Sequence, residues 1–182
     1  MSNEAFHDHH RRSIRLKEFD YASEGGYFVT LVTAQRQLLF GKVADGVMCI
    51  NEFGKIAREE WFKTQKLRPN VELMEDEFVV MPNHIHGIIW LHEDSCANNR
   101  PVRAYRDTPL RSPSNTLGAI IRGYKGAVTT RINTLRHVKG GPVWLRNYYE
   151  HIIINEKEYE NIANYIFDNP ANWGSKDEYY QS

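Results

Sequence analysis

The sequence contains few of the residues that mark specialised classes of protein. Its 182 residues include only 2 cysteines, Cys49 and Cys96, which are too few and too far apart for a disulfide framework or a CxxC metal site. No apolar run approaches the roughly 20 residues of a membrane-spanning helix, and the polar N-terminus lacks the apolar stretch of a signal peptide. We therefore expect a cytoplasmic protein with reduced thiols that does not contact a membrane.

An excess of charge of one sign is also missing, because 23 Lys and Arg residues balance 23 Asp and Glu residues. The distribution of charge along the chain is nevertheless uneven. Residues 98–147 include ten basic residues and one acid, Asp107, whereas residues 150–182 include seven acids and two lysines. Such a concentrated basic block is typical of a protein that binds a polyanion. A solvated basic surface without a ligand is the alternative interpretation.

The length and composition indicate one ordinary globular domain. A chain of 182 residues with 41% hydrophobic and 25% charged residues can form one substantial core, and dividing it in two would leave marginal halves. We interpret residues 1–182 as a single domain with a basic N-terminal arm at about residues 1–20. A polar, Arg-rich loop interrupted by prolines is expected at about residues 93–113.

Runs rich in β-branched and aromatic residues predict the strands. The predicted strands are residues 27–33, 46–50, 71–81, 84–91, 143–145 and 148–154. The run 71–81 is interpreted as one long strand. Pro82-Asn83 separates it from the strand 84–91, so that the two are expected to form a hairpin-like pair.

Apolar residues at helical spacing predict three helices. The first is capped by Asn51 and stops before residue 69, the second is capped by Ser114 or Asn115, and the third runs from about residue 155 to 168. The second helix carries basic residues that are expected to project away from its apolar stripe: Arg122, Lys125 and Arg131. The order of elements favours an α+β fold with helices packed on one face of an antiparallel sheet, and a ferredoxin-like arrangement is the simplest version.

Two histidines, His84 and His86, stand in the predicted strand 84–91. Side chains at positions i and i+2 of a strand point to the same face, so the two imidazoles lie side by side while Ile85 points into the core. Two neutral imidazoles leave positions open on a divalent metal ion, which suits a catalytic site. Packed or surface histidines are the alternative. Burying a polar pair in an otherwise hydrophobic strand costs free energy, however, which favours a functional role.

A second pair of polar side chains, Tyr165 and Asn169, lies about one turn apart on one side of the third predicted helix. A tyrosine hydroxyl, whose reference pKa is about 10, is a poor nucleophile near neutral pH. It can attack phosphorus when a metal ion stabilises the charge on the phosphodiester. The amide oxygen of Asn169 is a suitable ligand for a hard divalent ion. For Tyr165 alone, a place in the core is the alternative interpretation.

Four stretches of the sequence together resemble the single-tyrosine HUH transposases, specifically the REP-associated tyrosine transposases. They are RRSIRL at residues 11–16 with YFVT at 27–30 behind it, VMPNHIHG at 80–87, WLRNYYEHII at 144–153, and YIFDNP at 165–170. The resemblance extends from about Arg11 to Trp173. It implies the HUH nuclease fold, which is a ferredoxin-like antiparallel sheet with helices.

The resemblance implies a metal-dependent enzyme that nicks and rejoins single-stranded DNA near hairpins or palindromic repeats. His84 and His86 would bind Mg²⁺ or Mn²⁺, and Asn169 would supply a third ligand, at a position where relatives often have glutamine. Tyr165 would attack a phosphodiester, which leaves a 5′-phosphotyrosine link and a free 3′ hydroxyl, and rejoining would reverse this step. Relatives commonly have an acidic residue where this chain has Asn83, so a base at this position is not expected.

Six basic residues are predicted to contact single-stranded or hairpin DNA. They are Arg11, Arg12, Arg15, Arg122, Lys125 and Arg146. The first three resemble the N-terminal segment with which the family recognises hairpin bases. Arg122 and Lys125 are expected to contact phosphates, so that their loss would appear mainly in the salt dependence of binding.

Several alternatives remain open from the sequence. Tyr148 and Tyr149 are rival nucleophiles, although the family pattern makes them structural or DNA-contacting, and His151 is either a group behind the metal ligands or a packed histidine. A domesticated protein would bind DNA hairpins without cleaving them. A metallohydrolase with another substrate would need a third His or carboxylate ligand near the histidine pair. The length of the chain and its extended C-terminal tail favour a monomer over a homodimer.

Overall fold

The computed structural model describes residues 24–92 and 116–174. The predicted N-terminal arm and the predicted Arg-rich loop lie outside the described residues, as do Arg11, Arg12 and Arg15. None of the helices within the two described ranges has the length and apolar character needed to cross a bilayer.

The described residues form seven strands, three α-helices and one short 3-10 helix. The strands are β1 (Gly25–Val32), β2 (Gly41–Ala44), β3 (Val47–Ile50), β4 (Val71–Glu72), β5 (Phe78–Val80), β6 (His84–Leu91) and β7 (Tyr149–Ile153). The helices are α1 (Glu52–Leu67), α2 (Leu117–Arg136) and α3 (Glu156–Asp168), and the 3-10 helix is Ala34–Arg36.

The central sheet is antiparallel in every pairing. β1 lies between β6 and β7, while β4 and β5 follow one another along the other edge of β6. β2 and β3 form a separate hairpin. With α1 and α2 as the crossovers, this strand order is that of a ferredoxin-like fold. The predicted α+β class with an antiparallel sheet is therefore confirmed, as is the hairpin of β5 and β6 around Pro82.

Different helices cover the two faces of the sheet. Tyr27, Val29 and Leu31 of β1 belong to a large core cluster that includes residues of α1 and α2. Phe28 of β1 belongs to a smaller cluster on the opposite face that contains Ile166 of α3. The prediction placed all helices on one face, and it is wrong for α3. The physical reason is that β1 and β6 are apolar on both faces, so both faces must be covered.

Two salt bridges join α1 to α2. Arg131 of α2 donates hydrogen bonds to Glu59 Oε2 at 2.6 Å and to Glu60 Oε1 at 3.0 Å. Glu60 is only 4% exposed, and Arg131 supplies the opposite charge that a buried carboxylate requires. Arg131 therefore faces α1, whereas the sequence predicted that it projects away.

The predicted strand 71–81 is divided into β4 and β5. Val71 pairs with Leu91 and Phe78 pairs with Gly87, so the edge strand has more residues than the part of β6 that it faces. The extra residues bulge out of the sheet and interrupt the pairing.

Three other boundaries differ from prediction. The cap of α2 is Thr116, whose Oγ1 accepts the Ala119 N–H at 3.3 Å, rather than Ser114 or Asn115. β2 lies in a region where the sequence predicted no strand. The predicted strand 143–145 is only an isolated bridge between Trp144 and Thr33.

Candidate active site

β6 places the two histidines side by side on the face of the sheet that α3 covers. The strand register pairs His86 with Thr30 and His84 with Val32 of β1. His84 is 0% exposed, His86 is 1% exposed, and their ring centroids are 4.5 Å apart. Ile85 is buried on the opposite face, as the strand alternation predicted. The pair is therefore a buried feature of the sheet.

One hydrogen bond to each ring orients the histidines. The Oδ1 atom of Asn83 lies 2.7 Å from His84 Nδ1, and Thr30 Oγ1 lies 2.8 Å from His86 Nδ1. An amide oxygen can only accept, so Nδ1 of His84 donates and its Nε2 keeps the lone pair. Partners of this kind set which ring nitrogen is available to a metal ion. Both histidines therefore present Nε2 to the space beside α3.

Burial keeps both imidazoles neutral. It lowers the pKa of His84 from 6.5 to about 4, and the nearby Asn169 side chain opposes this shift. Burial is the larger cause that lowers the pKa of His86 well below its ordinary value. Repulsion from His84, when that ring is protonated, is the smaller cause. Neutral imidazole is the form that binds a metal ion. Neither ring therefore has to lose a proton at neutral pH before it can act as a ligand.

Tyr165 of α3 lies directly over His86. The Tyr165 hydroxyl is 3.3 Å from His86 Nε2, and the two ring centroids are 5.1 Å apart. The edge of the tyrosine ring also contacts Phe28, at a centroid distance of 6.1 Å. Tyr165 is 43% exposed, so a ligand can reach its hydroxyl from solvent. A place in the core, the alternative that the sequence left open, does not fit this exposure.

Asn169 follows α3 and is 7% exposed. Its side chain lies close enough to His84 to affect the pKa of that ring. Its buried Oδ1 atom makes no hydrogen bond of regular geometry within residues 24–92 and 116–174. A buried amide oxygen without a partner is costly, which makes this atom a candidate ligand.

The donor set fits a divalent cation. His84 and His86 offer imidazole nitrogens, and Asn169 offers an amide oxygen, all on one side of the sheet. Imidazole and carbonyl ligands together suit ions such as Mn²⁺ and Mg²⁺. Within the described ranges, no three His, Cys, Asp or Glu side chains are grouped so that they could hold a metal ion. The third ligand that a metallohydrolase would need is therefore not found in this part of the chain.

The chain has a relative that matches it over most of its length. No family model matches it. A protein of Haemophilus influenzae, described only as an uncharacterized protein, is 41% identical over 168 residues, which cover 91% of each chain. The chain belongs to the same family as this protein.

The fold is also shared with a solved structure. A REP-associated tyrosine transposase bound to a REP hairpin aligns with a TM-score of 0.56 at 20% identity, over 88% of this chain and 75% of that chain. The resemblance predicted from the four sequence motifs is therefore confirmed at the level of the fold.

Three of the predicted DNA-binding residues line one groove on the α2 side of the sheet. The groove has a volume of about 980 Å³ and lies between α2 and residues 140–148. Arg122, Lys125 and Arg146 lie along it. Lys125 Nζ donates to the carbonyl oxygens of Leu145 at 2.6 Å and Arg146 at 3.0 Å, and burial lowers its pKa. Lys125 therefore holds residues 145–146 against α2, while the side chains of Arg122 and Arg146 are exposed to solvent.

Tyr148 and Tyr149, the rival nucleophiles, lie on opposite faces of the sheet, and His151 lies on the same face as Tyr149. Tyr148 packs against the core on the α1 and α2 side, whereas Tyr149 is 47% exposed on the face of the histidine pair. His151 Nε2 lies 2.6 Å from Glu158 Oε1 in the first turn of α3. His151 thus helps to anchor α3.

Three contributors to the site were not identified from the sequence. Phe28 stacks on His86 at a centroid distance of 5.4 Å, Thr30 bonds to the same ring, and Trp173 lies 6.0 Å from His84. Strand alternation does place Phe28 and Thr30 on one face. Only the register of β1 against β6 shows that this face also carries the histidines.

Proposed function

We propose that the chain is a single-strand DNA nicking and joining enzyme with a transposase-like activity. Tyr165 is the nucleophile, and a divalent metal ion, Mg²⁺ or Mn²⁺, is held by His84, His86 and Asn169. The single observation that carries the proposal is the 3.3 Å distance between the Tyr165 hydroxyl and His86 Nε2. It supports the proposal because a solvent-accessible hydroxyl lies beside a ring nitrogen that could bind the metal ion.

The chemistry follows from the groups that the fold brings together. The bound cation would withdraw charge from the non-bridging oxygens of a phosphodiester. Tyr165 Oη attacks phosphorus, a P–Oη bond forms, and the P–O3′ bond breaks. The phenol gives up one proton and the departing 3′ oxygen gains one, so the step is a neutral exchange of esters. Attack of a 3′ hydroxyl on the 5′-phosphotyrosine reverses it and rejoins the strand.

The partner that we propose is single-stranded DNA next to a hairpin. The structural neighbour is a transposase bound to a REP hairpin, and the basic groove of this chain provides cations for a phosphate backbone. The groove and the histidine pair lie on different sides of the sheet. We therefore expect hairpin binding and cleavage to be separable by mutation.

A covalent adduct tests the proposed nucleophile. The protein is incubated with Mg²⁺ or Mn²⁺ and oligonucleotides that carry the repeats flanking its gene as hairpins with single-stranded flanks, and adducts are resolved on a denaturing gel. Tyr165→Phe is expected to abolish the adduct. Tyr148→Phe, which removes the hydroxyl of a rival nucleophile on the opposite face of the sheet, is the control and is expected to form it. If Tyr165→Phe forms as much adduct as the wild type, the assignment is wrong.

Substitution of the ligands separates cleavage from binding. His84→Ala and His86→Ala are expected to lose adduct formation and to retain hairpin affinity, which gel shifts in the presence of EDTA would measure. Hairpin binding by the wild type with no adduct under any metal ion would instead support a domesticated protein that binds without cleaving.

A further inference from the structure

Five rings lie in a row across the face of the sheet that α3 covers. Neighbouring centroids are separated by 6.3, 5.4, 4.5 and 6.0 Å, and the order of the rings is Tyr149, Phe28, His86, His84 and Trp173. The ring of Tyr165 contacts the middle of the row, at 6.1 Å from Phe28 and 5.1 Å from His86. The reactive hydroxyl therefore lies between the two ends.

The middle of the row is buried and both ends reach solvent. Phe28 is 8% exposed and both histidines are fully buried, whereas Tyr149 is 47% exposed and Trp173 is partly exposed. Among the described residues, neither Tyr149 nor Trp173 belongs to a core cluster or to the residues packed against one, whereas Tyr148, the chain neighbour of Tyr149, packs against a cluster. Core packing therefore does not account for these two large aromatic side chains at the ends of the row.

We propose that Tyr149 and Trp173 form a base-stacking subsite for the nucleotides on either side of the scissile phosphate. This inference rests on the proposed function, because it requires the phosphate to lie at the Tyr165 hydroxyl. A strand bound there extends in both directions along the row, so its flanking bases meet the exposed rings. Base stacking on aromatic side chains tolerates any sequence, because every base has a π-face.

The chemistry of the subsite selects single-stranded DNA. Bases in a duplex already stack on one another, so their faces are not available to a protein ring. A phosphate partner also lies at this end of the sheet. The N–H of Leu145, next to Arg146, donates to the Val32 carbonyl at 2.8 Å, and Val32 pairs with His84. The groove that Arg146 lines therefore begins at this end of the sheet, where a phosphate backbone that leaves the row would meet it.

Equilibrium binding without cleavage tests the subsite. Fluorescence anisotropy in EDTA would compare a short oligo-dT with an equally long backbone of abasic sites. The wild type is expected to prefer oligo-dT. Tyr149→Val, which keeps a residue suited to a strand, and Trp173→Ala are each expected to weaken oligo-dT binding by about ten-fold and to leave abasic binding unchanged. Tyr149→Phe and Trp173→Phe, which keep a ring, are expected to retain the preference.

The result that would overturn the subsite is an oligo-dT preference that neither Tyr149→Val nor Trp173→Ala reduces. Thermal melting of each variant identifies a loss of fold, and the two substitutions lie in different elements, so one can replace the other as the test. The adduct assay decides the proposed function separately. Reduced base preference in a protein that never forms an adduct would retain the subsite and reject the cleavage. Adduct formation with an unchanged preference would reject the subsite alone.

Discussion

One neighbouring residue, Asn83, determines which ring nitrogen of His84 carries the proton. Asn83 is completely buried, and its Oδ1 atom lies 2.7 Å from Nδ1. An amide accepts this hydrogen bond without adding charge to the interior. Asn83 therefore orients the ring of His84 through this hydrogen bond.

Replacement of Asn83 tests this orientation. Asn83→Leu removes the acceptor and is expected to weaken Mn²⁺ binding by about 10–100-fold, the usual effect of losing a partner behind a metal-bound histidine. Asn83→Asp keeps an oxygen at the same place and is expected to bind Mn²⁺ at least as tightly as the wild type. Isothermal titration would measure the affinities, and ¹⁵N NMR of the metal-free protein would report the His84 tautomer. Equal affinity in the Leu variant would show that Asn83 does not orient the ring.

At the scale of elements, α3 decides where Tyr165 lies, although it is only lightly packed. Ile166 is its only fully buried residue. Polar contacts hold its first half: Asn155 caps the helix, Glu158 bonds to His151, and Tyr159 bonds to Glu77. These contacts lie at the end of α3 away from Asn169. The position of Tyr165 therefore depends on contacts made by residues outside the candidate site.

Glu77 is the most buried of these anchors. It is 1% exposed, and its Oε2 atom accepts the indole N–H of Trp90 at 2.8 Å. Burial raises its pKa above 4.5, while the hydrogen bonds from Trp90 and Tyr159 oppose the shift. The same contact with Glu77 is the main reason that the pKa of Tyr159 is raised to about 12.

The raised pKa of Glu77 predicts a pH dependence of stability. A carboxyl whose pKa is higher in the folded state favours folding when protonated, so its contribution is present below pH 4.5 and is lost as the pH rises through the folded pKa. Glu77→Gln keeps an acceptor without the charge and is expected to equal or exceed wild-type stability at pH 7. Urea unfolding from pH 4 to pH 7 would show the gap between the two proteins narrowing towards acid. A Gln variant that is less stable than the wild type at pH 7 would contradict this.

Glu77→Leu is the complementary change. It leaves the Trp90 indole and the Tyr159 hydroxyl without their acceptor, which is expected to cost about 1–3 kcal/mol for each group that stays buried. A loss of stability in the Leu variant but not in the Gln variant would assign the effect to the lost acceptor.

At the scale of the whole molecule, the sheet separates two polar surfaces. The histidine pair, Tyr165 and Asn169 lie on the α3 side, while the basic groove lies on the α2 side. Residues 143–145 connect them, because this segment hydrogen-bonds to the end of β1 and leads into the groove. DNA that occupies both surfaces would have to pass around this end of the sheet.

Salt dependence tests the groove. Arg122→Ala and Arg146→Ala are each expected to reduce the slope of log K against log salt concentration for single-stranded DNA by about 0.7, the value for one lost phosphate contact. Arg136→Ala is the matched control, because Arg136 is also on α2 but lies over the Phe53 ring, outside the groove. Titrations at several salt concentrations would measure the slopes. An equal reduction in all three variants would mean that the groove has no particular role.

Much of the local structure could be predicted from the sequence because it depends on short-range periodicity. The alternation of a strand placed His84 and His86 on one face and Ile85 on the other, and both are confirmed. The Asn51 cap and α1 were predicted because the cap and the apolar spacing lie within one segment. The cap of α2 and the split of β4 from β5 were missed, since a bulge is set by the partner strand and is not visible in one strand alone.

The sequence by itself determined two pairs: histidines that share a strand face, and Tyr165 with Asn169 one turn apart on a helix. It did not determine that the pairs meet, because the sheet has two apolar faces and α3 could have covered either. Tertiary structure decided this by placing α3 against Phe28 and Ile88 instead of beside α1 and α2. It likewise decided that Thr30, Phe28 and Trp173 adjoin the histidines, since strand register and helix placement arise from packing between distant segments.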